Sequence, residues 1–142
     1  MGLDVYAVRP GDAGVTGHAT LVKLVTFSWM APADPAPFEA VPRGAREGLW
    51  WPSDGMVFGF RGGVYQQWMQ EQFEVSLYEL ADPVEVAELA ARLEAWLAEA
   101  EAAGTAELDL GDGAPTALSA IAALSRFVTA AADQKLWLFP DY

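Results

Sequence analysis

The hydrophobic pattern of this 142-residue chain changes its period at Gly62, and this change constrains the fold more than any other feature. Before Gly62, short β-branched and aromatic runs at 3–9 and 21–29 are typical of strands, and two apolar runs around an Asp-Gly pair predict a hairpin over 49–60. After Gly62, apolar residues recur at spacings of three and four, as they do on helices. Strands grouped before helices predict an α+β domain, because α/β folds alternate the two.

The most regular of the predicted helices covers residues 82–103. Asp82 can cap its N-terminus, Pro83 suits the first helical position, and Glu85 completes a capping-box spacing. Gly104 supplies a stop at the other end. The apolar spacing predicts a buried face with Leu89, Leu93 and Trp96, and an exposed face with Glu85, Glu88 and Glu99.

Two further helices and a last strand complete the predicted architecture. One helix follows Gly62, another opens at Pro115, and residues 135–142 have the composition of a strand. We expect one domain, 1–142, in which a small mixed or antiparallel sheet packs against about three helices. The sheet would contain the N-terminal strands, the hairpin and the C-terminal strand.

The segment 31–48 is expected to be a loop, because prolines at positions 32, 35, 37 and 42 interrupt any helix or strand ladder there. A loop of this length is unusual in a compact domain, and such loops are often lids, interfaces or arms. We therefore expect the segment to be mobile or to contact another chain.

The negative charge of the chain is concentrated in residues 71–112. This segment has twelve acidic residues and a single base, Arg92, so its net charge is −11 in a chain whose net charge is −12. Binding to phosphate backbones requires clustered Lys and Arg, so the distribution argues against nucleic acid and anionic membranes as partners. The segment is either a surface for a basic partner, a mimic of nucleic acid, or a solvated helix face that keeps the protein in solution.

The residue inventory argues against catalysis. The chain has no cysteine, and a single histidine, His18, cannot form a multi-histidine metal site. No serine lies in a GxSxG motif. We therefore assign no catalytic residue and no metal ligand, and we expect no cofactor. The N-terminus lacks the features of a signal peptide and no apolar run is long enough to span a membrane, so a cytoplasmic protein is predicted.

The stretch GFRGG at 59–63 has two interpretations. In the first it forms a ligand site, in which glycines allow close backbone approach, Arg61 clamps an anion, and Trp50, Trp51 and Tyr65 contribute aromatic walls. In the second interpretation the glycines provide the backbone conformations of a strand-to-helix turn, the aromatic residues belong to the core, and Arg61 pairs with a carboxylate of the chain. Strand alternation places Phe60 inward and Arg61 outward. The stretch lacks the GK[ST] ending of a phosphate-binding loop.

Four pieces of the sequence resemble a set of small bacterial proteins with no assigned function. They are MGLDVYA (1–7), FRGGVY (60–65), VSLYEL (75–80) and ALSRFVTAAADQKLWLF (123–139). The resemblance covers both ends and the middle of the chain, but not the Pro-rich segment 31–48. It implies no activity, cofactor or site, and it suggests that the FRGGVY junction belongs to a shared scaffold.

Two functional hypotheses follow. The first is a non-catalytic binding or regulatory domain, whose partner is a protein and which uses the acidic helix face, the Pro-rich segment or both. The second is a small enzyme or small-molecule-binding protein with an aromatic and arginine pocket around residues 50–65. The absence of cysteine and of catalytic motifs favours the first. Both a monomer and a homo-oligomer are compatible with the sequence.

Overall fold

The structure is a computed structural model that describes residues 2–10, 29–30, 32–42, 49–50, 58–111 and 113–142, with the backbone alone at 29–30 and 49–50. The strands are β1 (Asp4–Pro10), β2 (Trp29–Met30), β3 (Leu49–Trp50), β4 (Phe58–Arg61), β5 (Glu107–Asp109), β6 (Pro115–Ala117) and β7 (Trp137–Asp141). The helices are α1 (Ala36–Glu39), α2 (Gly62–Phe73), α3 (Pro83–Ala102) and α4 (Leu118–Asp133). The architecture is α+β, which confirms the predicted class.

The main sheet is antiparallel and is organised around β1. Strand β4 pairs with one side of β1 and β7 with the other, and β3 continues the sheet beyond β4. The short strand β2 pairs with the last two residues of β1. The predicted N-terminal and C-terminal strands are therefore confirmed, and β3 and β4 pair as the predicted hairpin requires. Most of the predicted strand 21–29 and the Asp-Gly turn of the hairpin lie outside the described residues.

Alternation along the strands directs one face of the sheet to the hydrophobic core. Val5 and Ala7 of β1 are buried and lie opposite Phe60 and Phe58 of β4, and Leu138 of β7 lies opposite Ala7. All five belong to one core cluster with the helices. Because the period of a strand is two, Asp4, Tyr6 and Arg61 lie on the other face.

Helix α2 begins where β4 ends, and its first residue packs directly against β1. A β-carbon at Gly62 would lie 2.8 Å from the Leu3 side chain and 2.9 Å from Val5 Cγ2. The next amide, Gly63 N–H, donates a hydrogen bond to the Leu3 carbonyl oxygen at 3.2 Å. The absence of a side chain at Gly62 therefore allows the helix to begin against the first strand.

Helix α3 matches the prediction for residues 82–103. The Asp82 side chain accepts a hydrogen bond from Glu85 N–H at 2.9 Å, and Glu85 Oε1 accepts one from Asp82 N–H at 3.2 Å, which completes the capping box. Leu89 and Leu93 are buried as predicted, whereas Trp96, which was also predicted to be buried, is half-buried. Glu85, Glu88 and Glu99 are exposed. Gly104 follows the helix with a φ of +76°, a left-handed conformation that glycine adopts without strain.

The predicted start of the last helix is wrong, because Pro115 belongs to strand β6 and α4 begins at Leu118. Strands β5 and β6 form a separate hairpin in which Leu108 pairs with Thr116. Asp109 Oδ1 accepts hydrogen bonds from the Gly111 and Gly113 amides at 2.8 and 3.2 Å and so closes the turn. Proline has no N–H to donate to a strand ladder. It is tolerated at position 115 because β6 belongs to a two-stranded sheet, in which each strand is an edge strand.

The described part of the Pro-rich segment, 32–42, is attached to the core by α1. The Phe38 ring is fully buried, stacks on Phe58 at a centroid distance of 5.1 Å and meets Phe127 edge-on, also at 5.1 Å. Gln134 holds the segment from α4, since it exchanges two hydrogen bonds with the Asp34 backbone. We expected a loop here, and the described residues instead include the short helix α1, whose Phe38 packs in the chain's own core. The expected mobility or contact with another chain stays a prediction.

Candidate functional site

The four residues predicted to line a ligand pocket do not lie together. Tyr65 is fully buried, and its ring meets Phe60 edge-on in the core at a centroid distance of 5.9 Å. Arg61 is exposed and lies on the opposite face of the sheet. Trp50 pairs with Gly59 through its backbone, and Trp51 lies outside the described residues, as does His18. Neither Arg61 nor Tyr65 lines any of the three cavities that are described below.

Arg61 has an acidic cross-strand neighbour that the sequence did not suggest. Asp4 lies directly opposite Arg61 in the β1–β4 register and opposite Asp141 in the β1–β7 register. The three side chains therefore form a row across the outer face of the sheet. Asp4 Oδ1 is buried and accepts no hydrogen bond from any described group. Within the described residues Arg61 forms no hydrogen bond or ion pair, so the pairing of Arg61 with a carboxylate of the chain stays a prediction, with Asp4 as its neighbour across the strands.

Tyr6 lies beside this row, and its environment opposes ionisation. Burial raises the pKa of the Tyr6 hydroxyl above its usual value, and the Asp141 and Asp4 carboxylates raise the pKa further. A tyrosine in this position stays protonated at neutral pH. The outer face therefore offers no phenolate that could act as a base.

The second candidate surface is the acidic segment 71–112. Ten of its eleven described acidic side chains are exposed, and the eleventh, Asp82, is the half-buried cap of α3. Exposure of single acids is ordinary for surface residues. Their arrangement matters more, because several of them surround one cleft.

The acidic cleft has a volume of about 150 Å³ and lies between the loop after α2 and the first half of α3. Four glutamates and one arginine give its lining a net charge of −3, and two buried leucines, Leu80 and Leu89, contribute to its apolar part. The lining residues are Glu74, Val75, Ser76, Glu79, Leu80, Ala81, Glu85, Glu88, Leu89 and Arg92. Ligand sites for small molecules usually measure about 300–1,000 Å³, so this cleft suits a single side chain better.

Two sets of hydrogen bonds hold the loop that forms one wall of the cleft. Gln66 of α2 accepts a hydrogen bond from Leu77 N–H at 2.6 Å and donates one to Ser76 Oγ at 3.5 Å. At the other end, Ala81 and Leu138 of β7 form a two-bond bridge, with both N–H to O distances at 3.0 Å. The glutamates of this loop are therefore presented from a fixed backbone.

Two of the charged groups in the cleft already have partners. The Arg92 guanidinium lies 5.2 Å from the centroid of the Phe73 ring, a cation–π arrangement. Glu85 accepts the capping hydrogen bond from Asp82. Glu74, Glu79 and Glu88 are exposed, and no hydrogen bond to their carboxylates occurs within the described part of the chain. These three carboxylates are available to a cation.

An exposed aromatic pair adjoins the cleft. Tyr78 lies in the loop between the lining residues Ser76 and Glu79, and its ring meets Tyr142 edge-on at a centroid distance of 5.1 Å. The two tyrosines are 46% and 69% exposed, so both rings are accessible from solvent. Tyrosine is enriched in protein interfaces, and its ring face attracts cations.

Described residues also line two further cavities. One, of about 270 Å³, lies between α1 and α4 and contains Ser125, Arg126 and Thr129, whose hydroxyl donates to Glu94 at 3.1 Å. The other is a shallow apolar groove of about 550 Å³ between the first half of α3 and the end of α4. The first is smaller than most small-molecule sites.

In the described residues, no group of three or more His, Cys, Asp or Glu side chains is placed so that it could hold a metal ion together. None of the helices in the described ranges is both long enough and apolar enough to cross a bilayer. No family model matches the chain, and comparison with curated proteins and with solved structures finds no significant match. The resemblance to small bacterial proteins therefore stays a prediction.

Proposed function

We propose that the protein is a non-catalytic binding domain that recognises a basic segment of a protein partner at the acidic cleft. One observation supports this proposal above the others. An exposed pair of tyrosines, Tyr78 and Tyr142, adjoins a cleft in which three glutamates have no partner among the described residues. Carboxylates, an aromatic face and a small apolar recess are the groups that bind a lysine or arginine side chain.

The size of the cleft favours a side chain of a larger partner over a free ligand. A volume of about 150 Å³ encloses little more than one long side chain, so most of the binding energy would come from contacts around the rim. Electrostatic attraction would mainly accelerate association and select basic partners. The concentration of negative charge in 71–112 extends this attraction beyond the cleft itself.

The alternative, a small-molecule or catalytic pocket around residues 50–65, has less support. Such a pocket needs Arg61 and Tyr65 on one surface, and these side chains lie on opposite faces of the sheet. The glycines next to Arg61 have a packing explanation, because Gly62 contacts Leu3 and Gly63 donates to the β1 backbone.

The proposal is tested by binding of a fluorescent lysine-rich peptide, followed by anisotropy at low and high salt. The double variant E74Q/E79Q removes two charges from the cleft and leaves the capping box intact. The matched control, E99Q/E101Q, removes two exposed charges from the far end of α3. We expect the cleft variant to bind on the order of tenfold more weakly than the control. Equal weakening by both variants would show that only the net charge matters.

The natural partner can be identified by crosslinking and affinity capture from the host with the same three proteins. A specific partner should be recovered with the wild type and with E99Q/E101Q, and lost with E74Q/E79Q. A glutamate-rich peptide provides the negative control for the binding assay.

A further inference from the structure

We propose that the apolar groove between α3 and the end of α4 is a contact surface for a second copy of this chain, related by a two-fold axis. This proposal goes beyond the function proposed above and concerns a second surface, which shares one lining residue, Glu88, with the acidic cleft. The groove has a volume of about 550 Å³ and is lined by Pro83, Val84, Ala87, Glu88, Ala91, Ala132 and Lys135.

Most of the apolar side chains of the groove are exposed to solvent. Val84 is 66% exposed and is one of only three large hydrophobic side chains exposed in the described ranges. Ala87 and Ala91 follow it at helical spacing on the same exposed face. Small side chains at these positions allow another backbone to approach closely.

The exposed face continues along the whole of α3. Ala95, Ala98 and Ala102 extend the spacing of three and four residues, and each is exposed. A helix of 20 residues is about 30 Å long, so the combined surface is larger than the groove alone.

The charges in the groove identify a second copy rather than a basic partner as the occupant. Glu88 and Lys135 both line the groove, and neither forms an ion pair within the described ranges. Lys135 is the only lysine in those ranges. A basic partner would be repelled by Lys135, whereas a two-fold axis can place Glu88 of each copy against Lys135 of the other.

This local charge balance is important because the whole chain is strongly acidic. Two chains of net charge −12 repel each other, and a contact is least unfavourable where the lining is neutral. The groove, with one acid and one base, is such a place, unlike the acidic cleft with its net charge of −3.

A charge exchange tests the pairing directly by sedimentation velocity over a wide range of protein concentration. The wild type is expected to form a reversible dimer. E88K alone and K135E alone should each weaken self-association on the order of tenfold, because each brings like charges together. An equimolar mixture of the two variants should restore association, since each pair then joins opposite charges.

Two further variants keep the test specific. A87E, introduced alone, should block dimer formation because the larger side chain fills the groove. E107K, which makes the same charge change on the exposed strand β5, should leave it unchanged. Thermal melts of every variant confirm that it is folded.

The proposal is overturned by a wild type that stays monomeric, by a mixture that does not associate, or by E107K acting like E88K. The peptide-binding assay with K135E separates this proposal from the acidic cleft, because Lys135 does not line the cleft.

Discussion

Gly62 and Leu3 approach so closely that a β-carbon at position 62 would lie 2.8 Å from both Leu3 Cδ2 and Leu3 Cγ. Val5 is the other side chain close to position 62. Leu3 and Val5 are 3% and 1% exposed, so neither side chain can turn out into solvent to make room. The contact fixes the start of α2 against the central strand of the sheet. It accounts for the glycine beside Arg61 without any ligand.

Substitution of the two adjacent glycines should therefore have different effects. G62A is expected to lower the free energy of unfolding by about 1–3 kcal/mol, because it overpacks the contact with Leu3 and Val5. G63A is the matched control, since the nearest atom to its β-carbon would be 4.0 Å away. It should leave stability unchanged or raise it by up to about 1 kcal/mol through helix propensity. Urea denaturation measures both, and equal effects would refute the packing explanation.

Phe38 should be a major contributor to the core. F38A is expected to lower the free energy of unfolding by about 3–5 kcal/mol, because the ring is fully buried between Phe58 and Phe127. E39A, on the exposed side of α1, should change it by less than about 0.5 kcal/mol. Hydrogen exchange offers an independent check, because the Ala40 and Val41 amides donate within this segment. Rapid exchange at both amides and a small effect of F38A would mean that the segment is not docked.

The capping box of α3 makes a separate prediction. D82A should lower the free energy of unfolding by about 1 kcal/mol, because Glu85 N–H loses its acceptor, and D82S should retain most of that stability. Guanidinium denaturation of the three proteins gives the comparison. If D82A and D82S were equally stable, the side chain would not act as a cap.

Tyr6 is expected to make the free energy of unfolding depend on pH in the alkaline range. Its folded pKa is raised above the unfolded value of about 10, so the folded state holds the proton more tightly. The resulting stabilisation is complete below pH 10 and is lost as the pH rises through the folded pKa. Y6F should flatten the fall in stability above pH 10. NMR titration of the Tyr6 ring carbon should show a lower pKa in D141N, whereas an unchanged value, or an equal shift in the control D133N, would exclude Asp141 as a cause.

The elements that the sequence predicted well are those specified by local chemistry. Helix α3 was predictable because Asp82, Glu85 and Gly104 mark its ends and its apolar spacing is regular. The inward direction of Phe60 and the outward direction of Arg61 followed from the period of a strand. In each case the deciding residues lie within one helix or one strand.

The elements that the sequence misplaced depend on contacts between distant residues. Pro115 is a good first residue for a helix, but pairing of Thr116 with Leu108 makes the segment a strand. The Pro-rich segment contains one residue, Phe38, whose burial depends on Phe58 and Phe127. No local pattern indicates either contact.

The candidate site was only partly predictable for the same reason. The excess of acidic residues in 71–112 is visible in the sequence, but the cleft is not. Its shape requires Gln66 to hold the loop and Ala81 to bridge to Leu138, 57 positions away. The contact between Tyr78 and Tyr142 is also long-range. The sequence therefore indicated the charge of the surface, and the fold supplies its geometry.

The location of the binding site is tested most directly by NMR titration of the labelled protein with the lysine-rich peptide. The account predicts that chemical-shift changes concentrate at the cleft, in Ser76 to Leu80 and at Leu89 and Arg92, and that E74Q/E79Q suppresses them. The amides of Glu99 and Glu101, at the far end of α3, should change little. Shift changes of equal size at both ends of α3, or none at the cleft, would contradict the proposed recognition of a basic segment.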